Sequence, residues 1–213
     1  MSVSVSAFGA ALVVALALVA LWRREVSALV TILSLQGLAL GVVAWSLALT
    51  KRDLTLVEAG SLVVLVKAIL VPFALSRVLR RVAREREGAP VINVPSSLVV
   101  GALLVAAAVV VTRGMVHLDP SPLVALAPYG VATSLIGYFV VVTRRRAVSQ
   151  IVGLVMVDNG IALTTFVLTA GVPMVLELGG ALDVLLVVVV LQGVRSALGP
   201  AALDLSQLRE LHE

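Results

Sequence analysis

Four polar side chains interrupt long apolar stretches of this sequence at similar depths. Each lies ten or twelve residues from an arginine at the end of its stretch. The polar residues are Gln36, Lys67, Asp158 and Asp183, and the arginines are Arg24, Arg77, Arg146 and Arg195. At about 1.5 Å per helical residue, these spacings correspond to roughly 15–18 Å, near the middle of a ~30 Å hydrocarbon core. We therefore expect a polar layer at the bilayer midplane.

An amine and two carboxylates at one depth could carry protons laterally through the membrane. Burial disfavours the charged form of both groups, so a lysine–aspartate pair can exchange a proton when a neighbouring charge changes. Gln36 does not titrate and could relay a proton only through water. Glu58 lies about 13 Å nearer the outer surface than Lys67 and either extends this path or marks a helix end. The alternative is a static ion pair, in which Lys67 neutralises Asp158 or Asp183 and holds the helices together.

Pro72 predicts a kink in the helix that carries Lys67. Proline has no amide hydrogen, so the carbonyl of Ala68 loses its α-helical partner. We expect a kink beside the lysine, where the freed carbonyl could hold water or accept from the ammonium. In the preceding apolar stretch, Gly37 and Gly41 form a small-xxx-small pattern that predicts close helix packing.

The elements that position these groups are predicted to be membrane-spanning helices. Of the 213 residues, 61% are hydrophobic and 13% are charged, and the mean hydropathy is +1.15. A soluble domain of this size could not bury so much apolar surface, which predicts an all-α, polytopic membrane protein with about seven transmembrane helices. The predicted spans are 5–22, 27–49, 54–79, 97–112, 122–143, 147–170 and 173–195.

The distribution of basic residues predicts the orientation. They crowd one alternate set of connections, which is therefore expected to face the cytoplasm, with the N-terminus outside and the C-terminus inside. The first apolar run has no basic region before it and is interpreted as a retained span instead of a signal peptide. The pI near 10.3 follows from these basic connections and indicates contact with anionic lipid, not with nucleic acid.

The composition excludes several kinds of site. There is no cysteine, so disulfides, zinc–thiolate sites and iron–sulfur ligation are ruled out. The two histidines are expected outside the spans, His117 in a short polar loop and His212 beside the C-terminus. No phosphate-binding loop, dinucleotide motif or nucleophile–histidine arrangement is present. We therefore expect no catalytic, cofactor-binding or metal-ligating residue in this chain.

An internal repeat predicts the arrangement of the spans. Residues 24–45, "REVSALVTILSLQGLALGVVAW", align without a gap on residues 146–167, "RAVSQIVGLVMVDNGIALTTFV", and Gln36 falls on Asp158. Two parallel three-helix repeats joined by a linker helix would explain this match. The expected divisions are the first repeat at 1–80, a cytoplasmic loop plus linker helix at 81–121, the second repeat at 122–199, and a cytoplasmic tail at 200–213.

Two longer motifs resemble known membrane subunits. "SQIVGLVMVDNGIALTTFVL" and "ALDVLLVVVVLQGVRSALGPAALDLSQLREL" resemble the K-type subunit of respiratory complex I, which carries one carboxylate in its second helix and another in its third. Asp158 and, approximately, Asp183 fall on these positions, where that family uses glutamate. The whole chain, through "LVVLVKAILVPFALSRVLRR" and "MVDNGIALTTFVLTAG", is similar to the E membrane subunit of hydrogenase-4 and formate hydrogenlyase-type complexes.

The resemblance implies a non-catalytic membrane-arm subunit of a group 4 NiFe-hydrogenase or a related complex in a bacterial or archaeal cell membrane. Nickel, iron–sulfur clusters and the antiporter-like channels would belong to partner subunits, which this chain would link. Its own contribution would be the polar axis through Lys67, Asp158 and Asp183. Two alternatives stay open: a subunit of a multisubunit cation/proton antiporter without a redox module, and a purely structural spacer.

Overall fold

The described part of the chain consists entirely of helices and short connections. The computed structural model describes residues 2–52, 54–79, 92–145 and 147–169. The helices are α1 (Ser2–Trp22), α2 (Val26–Lys51), α3 (Leu54–Val63), α4 (Val71–Leu79), α5 (Val94–Leu118), α6 (Ala127–Thr143) and α7 (Ala147–Leu168). A π-helical segment, Val64–Leu70, joins α3 to α4, and one 3-10 turn, Val124–Leu126, precedes α6.

Six helical stretches within the described residues are long and apolar enough to cross a membrane. They are Val3–Trp22, Val26–Lys51, Leu54–Arg77, Val94–Leu118, Val124–Thr143 and Val148–Leu168. They coincide with the first six predicted spans, and this all-helical architecture is consistent with a polytopic membrane protein. The seventh predicted span, 173–195, lies outside the described residues.

The fourth predicted span, 97–112, was too short. The side chain of Asn93 caps α5 by accepting from the amide of Ser96 at 3.1 Å, and a proline follows in the first turn. The helix then continues past Arg113, so the placement of His117 in a loop was also wrong: it lies in the last turn of α5. The predicted span ended before Arg113 because the apolar run stops there. The side chain of Arg113 is exposed, however, and does not interrupt the backbone hydrogen bonds of α5.

α2 is the central helix of the described bundle. It contacts α1, α3, the π-helical segment, α4 and α7. Within its apolar span 61% of the residues are buried, compared with 11% for α5, which rests against α1 and α6 at the periphery. α6 and α7 pack along each other, and α1 contacts α6. Side chains on α2 are therefore positioned to contact side chains on α1, on the third span and on α7.

The buried apolar side chains form two clusters, and several helices pass from one cluster to the other. On α2 this passage falls within residues 34–38, and on α7 it falls within residues 157–162. These two intervals contain Gln36 and Asp158. These two members of the predicted polar layer therefore lie between two apolar clusters, as expected for polar groups that are enclosed by helices instead of placed at helix ends.

Arg144 connects the end of α6 to the end of α1. Its guanidinium donates to the carbonyls of Ala20 at 3.2 Å, Leu21 at 3.4 Å and Arg23 at 2.9 Å, and the residue is 7% exposed. These carbonyls close the C-terminus of α1, where a helix leaves acceptors without intrahelical donors and carries partial negative charge. The sequence had indicated Arg144 only as one of several basic connecting residues, and the structure makes it a buried cap.

Candidate functional site

Lys67 lies in the middle of the π-helical segment, five residues before Pro72. The ladder is shifted there, because the amide of Val71 donates to the carbonyl of Val66. The helix next to Pro72 is thus π-helical, which the sequence did not predict, and the kink expected beside Lys67 stays a prediction. Such segments occur frequently at functional sites, since they place a side chain where a regular helix would not.

The carbonyl of Ala68 receives no α-helical hydrogen bond from Pro72, because proline has no amide hydrogen. It accepts instead from the hydroxyl of Ser34 at 2.6 Å. We had expected water or the lysine ammonium at this carbonyl, and in the structure a serine of α2 provides a donor. The same helix approaches closely at Gly37, where a Cβ atom would lie 2.5 Å from both Lys67 C and Ala68 N. The close packing predicted from the glycine pattern is thus confirmed, and it holds α2 against the π-helical segment.

Lys67 and Asp158 form an ion pair in which Lys67 Nζ donates to Asp158 Oδ2. The contact joins the π-helical segment of the third span to α7 of the sixth span. The lysine side chain is 3% exposed, whereas the aspartate side chain is 31% exposed. The amine is thus enclosed within the described helices, and one side of the carboxylate opens away from them.

Asn159 directly follows Asp158, and its amide begins a chain of contacts from α7 to α2 and α1. Asn159 Nδ2 donates to Gln36 Oε1 at 3.2 Å, and Gln36 Nε2 donates to the carbonyl of Val13 at 3.0 Å. Both amide residues are fully buried. Polar contacts of the adjacent residues Asp158 and Asn159 on α7 therefore reach the π-helical segment, α2 and α1.

The structure describes one of the two remaining predicted path residues and does not bring it into this region. Glu58 lies on α3 with an exposed side chain, nine residues before Lys67. Asp183 lies outside the described residues. Sequence reasoning missed Asn159 and Ser34 as members of the site. The sequence contained a signal for each. Asn159 directly follows the intramembrane acid Asp158. Ser34 has a hydroxyl that can donate to a carbonyl such as that of Ala68, which Pro72 leaves without its helical donor.

The chemistry available in this region is proton exchange and hydrogen bonding. Among the described residues it contains one acid, one amine and two amides. Within the described ranges, no three His, Cys, Asp or Glu side chains lie close enough together to hold a metal ion.

Comparison with known proteins places the chain next to a mycobacterial relative. No family model matches it, and no solved structure matches it. It is 40% identical over 198 residues to the uncharacterized protein Rv0085 of Mycobacterium tuberculosis (strain ATCC 25618 / H37Rv). The match covers 90% of this chain and 89% of that protein. This chain therefore belongs to the same protein family as Rv0085.

Proposed function

We propose that this chain is a non-catalytic membrane-arm subunit of an energy-converting complex related to complex I, of the group 4 NiFe-hydrogenase or formate hydrogenlyase type. In this proposal it contributes to a proton or ion path at the bilayer midplane and links antiporter-like subunits. The observation that carries the proposal is the ion pair between the buried Lys67 and the partly exposed Asp158, on two different apolar spans. The resemblance of the sequence to the E-type and K-type subunits supplies the kind of complex.

A charged pair in apolar spans needs an explanation, because intramembrane charges are costly. A charge at the centre of a membrane helix costs at least about 2.5–3.5 kcal/mol, and such residues usually mark ion pathways or proton relays. In the proposed step, a proton moves from Lys67 Nζ to Asp158 Oδ2 and leaves both groups neutral. A charge change in a neighbouring subunit would drive this transfer, and the open side of Asp158 would pass the proton on.

The proposal includes a duplicated topology. In it, seven spans form two parallel three-helix repeats, at 1–80 and 122–199, joined by the loop and linker helix of 81–121. The N-terminus lies outside a bacterial or archaeal cell membrane, and the tail at 200–213 lies in the cytoplasm. The contacts of α1 with α6 and of α2 with α7 support this arrangement, because each contact pairs a helix with its counterpart in the other repeat.

The proposed partners supply the redox chemistry. Antiporter-like subunits and other membrane-arm subunits would surround this chain, together with lipid. NiFe and iron–sulfur centres would belong to partner subunits. Purifying the tagged chain in mild detergent from its own host and identifying its partners tests this assignment. The proposal expects a nickel-binding large subunit and antiporter-like subunits. Antiporter subunits without any redox subunit would contradict it and favour the antiporter alternative.

A structural spacer is the second candidate function, and the direct contact of Lys67 with Asp158 favours it. A permanent pair of this kind would hold the third and sixth spans together without conducting anything. The conduit and the spacer predict different proton movement in a complex that contains Asp158→Asn and still assembles. A conduit predicts a loss of redox-driven proton movement in everted vesicles, whereas a spacer predicts unchanged movement.

Asp119→Asn is the matched control for this experiment. Asp119 is exposed, and its Oδ1 accepts from the amide of Ser121 at 3.0 Å, a bond that asparagine can also make. The control therefore changes the same charge without touching the buried region. Proton movement should be normal in Asp119→Asn and lost in Asp158→Asn, and equal movement in both variants would contradict the conduit.

A further inference from the structure

The amide of Asn159 contains a buried acceptor that is not satisfied by the described part of the protein. Asn159 is fully buried, and its Nδ2 donates to Gln36. Its Oδ1 has no hydrogen-bond partner among the residues that the structure describes. A buried acceptor without a donor costs about 1–3 kcal/mol, so such an atom needs an explanation.

The orientation of this amide is fixed by its neighbours. The carbonyl of Val13 can only accept, so Gln36 must present its NH2 group to it. The Oε1 atom of Gln36 then faces Asn159 and requires a donor, which only the NH2 group of Asn159 can be. Exchanging the oxygen and nitrogen of Asn159 would place two acceptors against each other. The carbonyl of Val13 on α1 therefore determines, through Gln36, that Asn159 Oδ1 is the amide atom that faces away from Gln36.

The position of the acceptor next to the ion pair limits what can satisfy it. Asp158 precedes Asn159 by one residue, so the two side chains leave α7 about 100° apart. A metal cation needs several oxygen ligands, and within the described residues no three His, Cys, Asp or Glu side chains lie close enough together to hold one. A neutral donor has no such requirement. Water is such a donor, since it can donate one proton to Asn159 and the other to a second acceptor.

We propose that Asn159 Oδ1 binds a buried water molecule beside the Lys67–Asp158 pair, and that Gln36 positions Asn159 for this purpose. The water donates one proton to Asn159 Oδ1, and its second proton is available to another acceptor. Its role as a proton relay rests on the proposed function, but the water site itself does not. A water at this place would extend the route for protons from the ion pair towards the centre of the bundle.

Selective isotope labelling can test the water directly, because the chain contains two asparagines, Asn93 and Asn159. The protein is labelled with 13C,15N-asparagine by cell-free synthesis, reconstituted into liposomes, and studied by water-edited solid-state NMR. Asn93 is exposed and serves as the wet reference. A 13C-methyl label on Met156, which is fully buried in an apolar cluster, serves as the dry reference.

The proposal expects magnetisation from water to reach the side-chain amide of Asn159 at a rate closer to that of Asn93 than to that of Met156. In Gln36→Leu, which frees the amide to rotate, the side-chain amide of Asn159 should lose its single, well-defined signal. A transfer rate at Asn159 as slow as that at Met156 would overturn the water site. An unchanged signal in Gln36→Leu would overturn the positioning role. Neither measurement depends on turnover, so failure here is distinct from a failure of the proposed function in the vesicle assay.

Discussion

Removing either member of the ion pair should destabilise the protein, but by unequal amounts. Asp158→Asn leaves the ammonium of Lys67 without its carboxylate in an environment where the lysine is 3% exposed. Breaking a buried pair in this way costs about 3–5 kcal/mol. Lys67→Met leaves a carboxylate that is 31% exposed, so about two-thirds of that cost applies, roughly 2–3 kcal/mol. The difference of about 1–2 kcal/mol corresponds to a factor of roughly 5–30 in the ratio of folded to unfolded protein.

The free energy of unfolding can be measured by titrating the purified protein in mixed micelles with SDS. The two tryptophans, Trp22 and Trp45, provide the fluorescence signal. Lys51→Met is the matched control, because Lys51 is exposed in the last turn of α2, where a cation stabilises the helix end by only about 0.3–1 kcal/mol. The expected order of destabilisation is Asp158→Asn, then Lys67→Met, then Lys51→Met.

A double replacement completes this test. Lys67→Met combined with Asp158→Leu removes both charges, and well-packed apolar substitutes for a buried pair are often neutral or stabilising by about 1–4 kcal/mol. The double variant should therefore be more stable than Asp158→Asn alone. The reasoning is refuted if Asp158→Asn is no less stable than the Lys51→Met control, or if the double variant is the least stable of the series.

Three further substitutions test the contacts around the site. Gly37→Ala should destabilise the protein by about 1–3 kcal/mol in the SDS titration, because the new Cβ meets the backbone of the π-helical segment. The control Gly114→Ala has nothing within 4 Å and should be neutral or slightly stabilising, and equal effects would contradict the close packing. Ser34→Ala removes a donor to the carbonyl of Ala68 and should cost about 1–3 kcal/mol in the same titration; an unchanged midpoint would mean that this bond contributes nothing. Arg144→Lys replaces a planar fork with a single ammonium, so the end of α1 should become measurably more sensitive to limited trypsin digestion, and unchanged cleavage would contradict the capping role.

Much of the fold follows from elementary properties of the sequence. Long apolar runs must become helices in lipid, because only a helix satisfies its own backbone groups there. The same reasoning predicted that Lys67 and Asp158 share a depth, since each lies a fixed number of residues from a basic helix end. Burial of unlike charges then favours contact between them, and the structure contains this contact.

Other features could not be predicted in this way, because they depend on small energy differences or on neighbouring helices. Pro72 predicts a kink, but a shift of the hydrogen-bond ladder to a π-helix depends on what packs against the segment, here Gly37 and Ser34 of α2. The role of Asn159 depends on the orientation of Gln36, which is set by a carbonyl on α1. The number of residues between a side chain and the end of its helix predicts depth, but it does not predict the direction in which an amide points.

Arg144 illustrates a further limit. An arginine after an apolar run is normally a solvated marker of the cytoplasmic side, and this interpretation predicted the orientation of the spans. Whether such an arginine turns inward depends on the presence of helix-terminal carbonyls nearby in space. Those carbonyls belong to α1, more than a hundred residues earlier in the chain. Local sequence therefore cannot distinguish a capping arginine from a solvated one.

The most direct test of the central claim is the number of protons moved per electron by a complex that carries the double variant Lys67→Met/Asp158→Leu. Blue-native electrophoresis first establishes that the complex is assembled, and electron transfer is measured in the same everted vesicles. The conduit account predicts that electron transfer continues while the proton yield is lost, because the apolar pair packs but cannot exchange a proton. A normal proton yield from the assembled double variant would contradict the account and assign the pair a purely structural role.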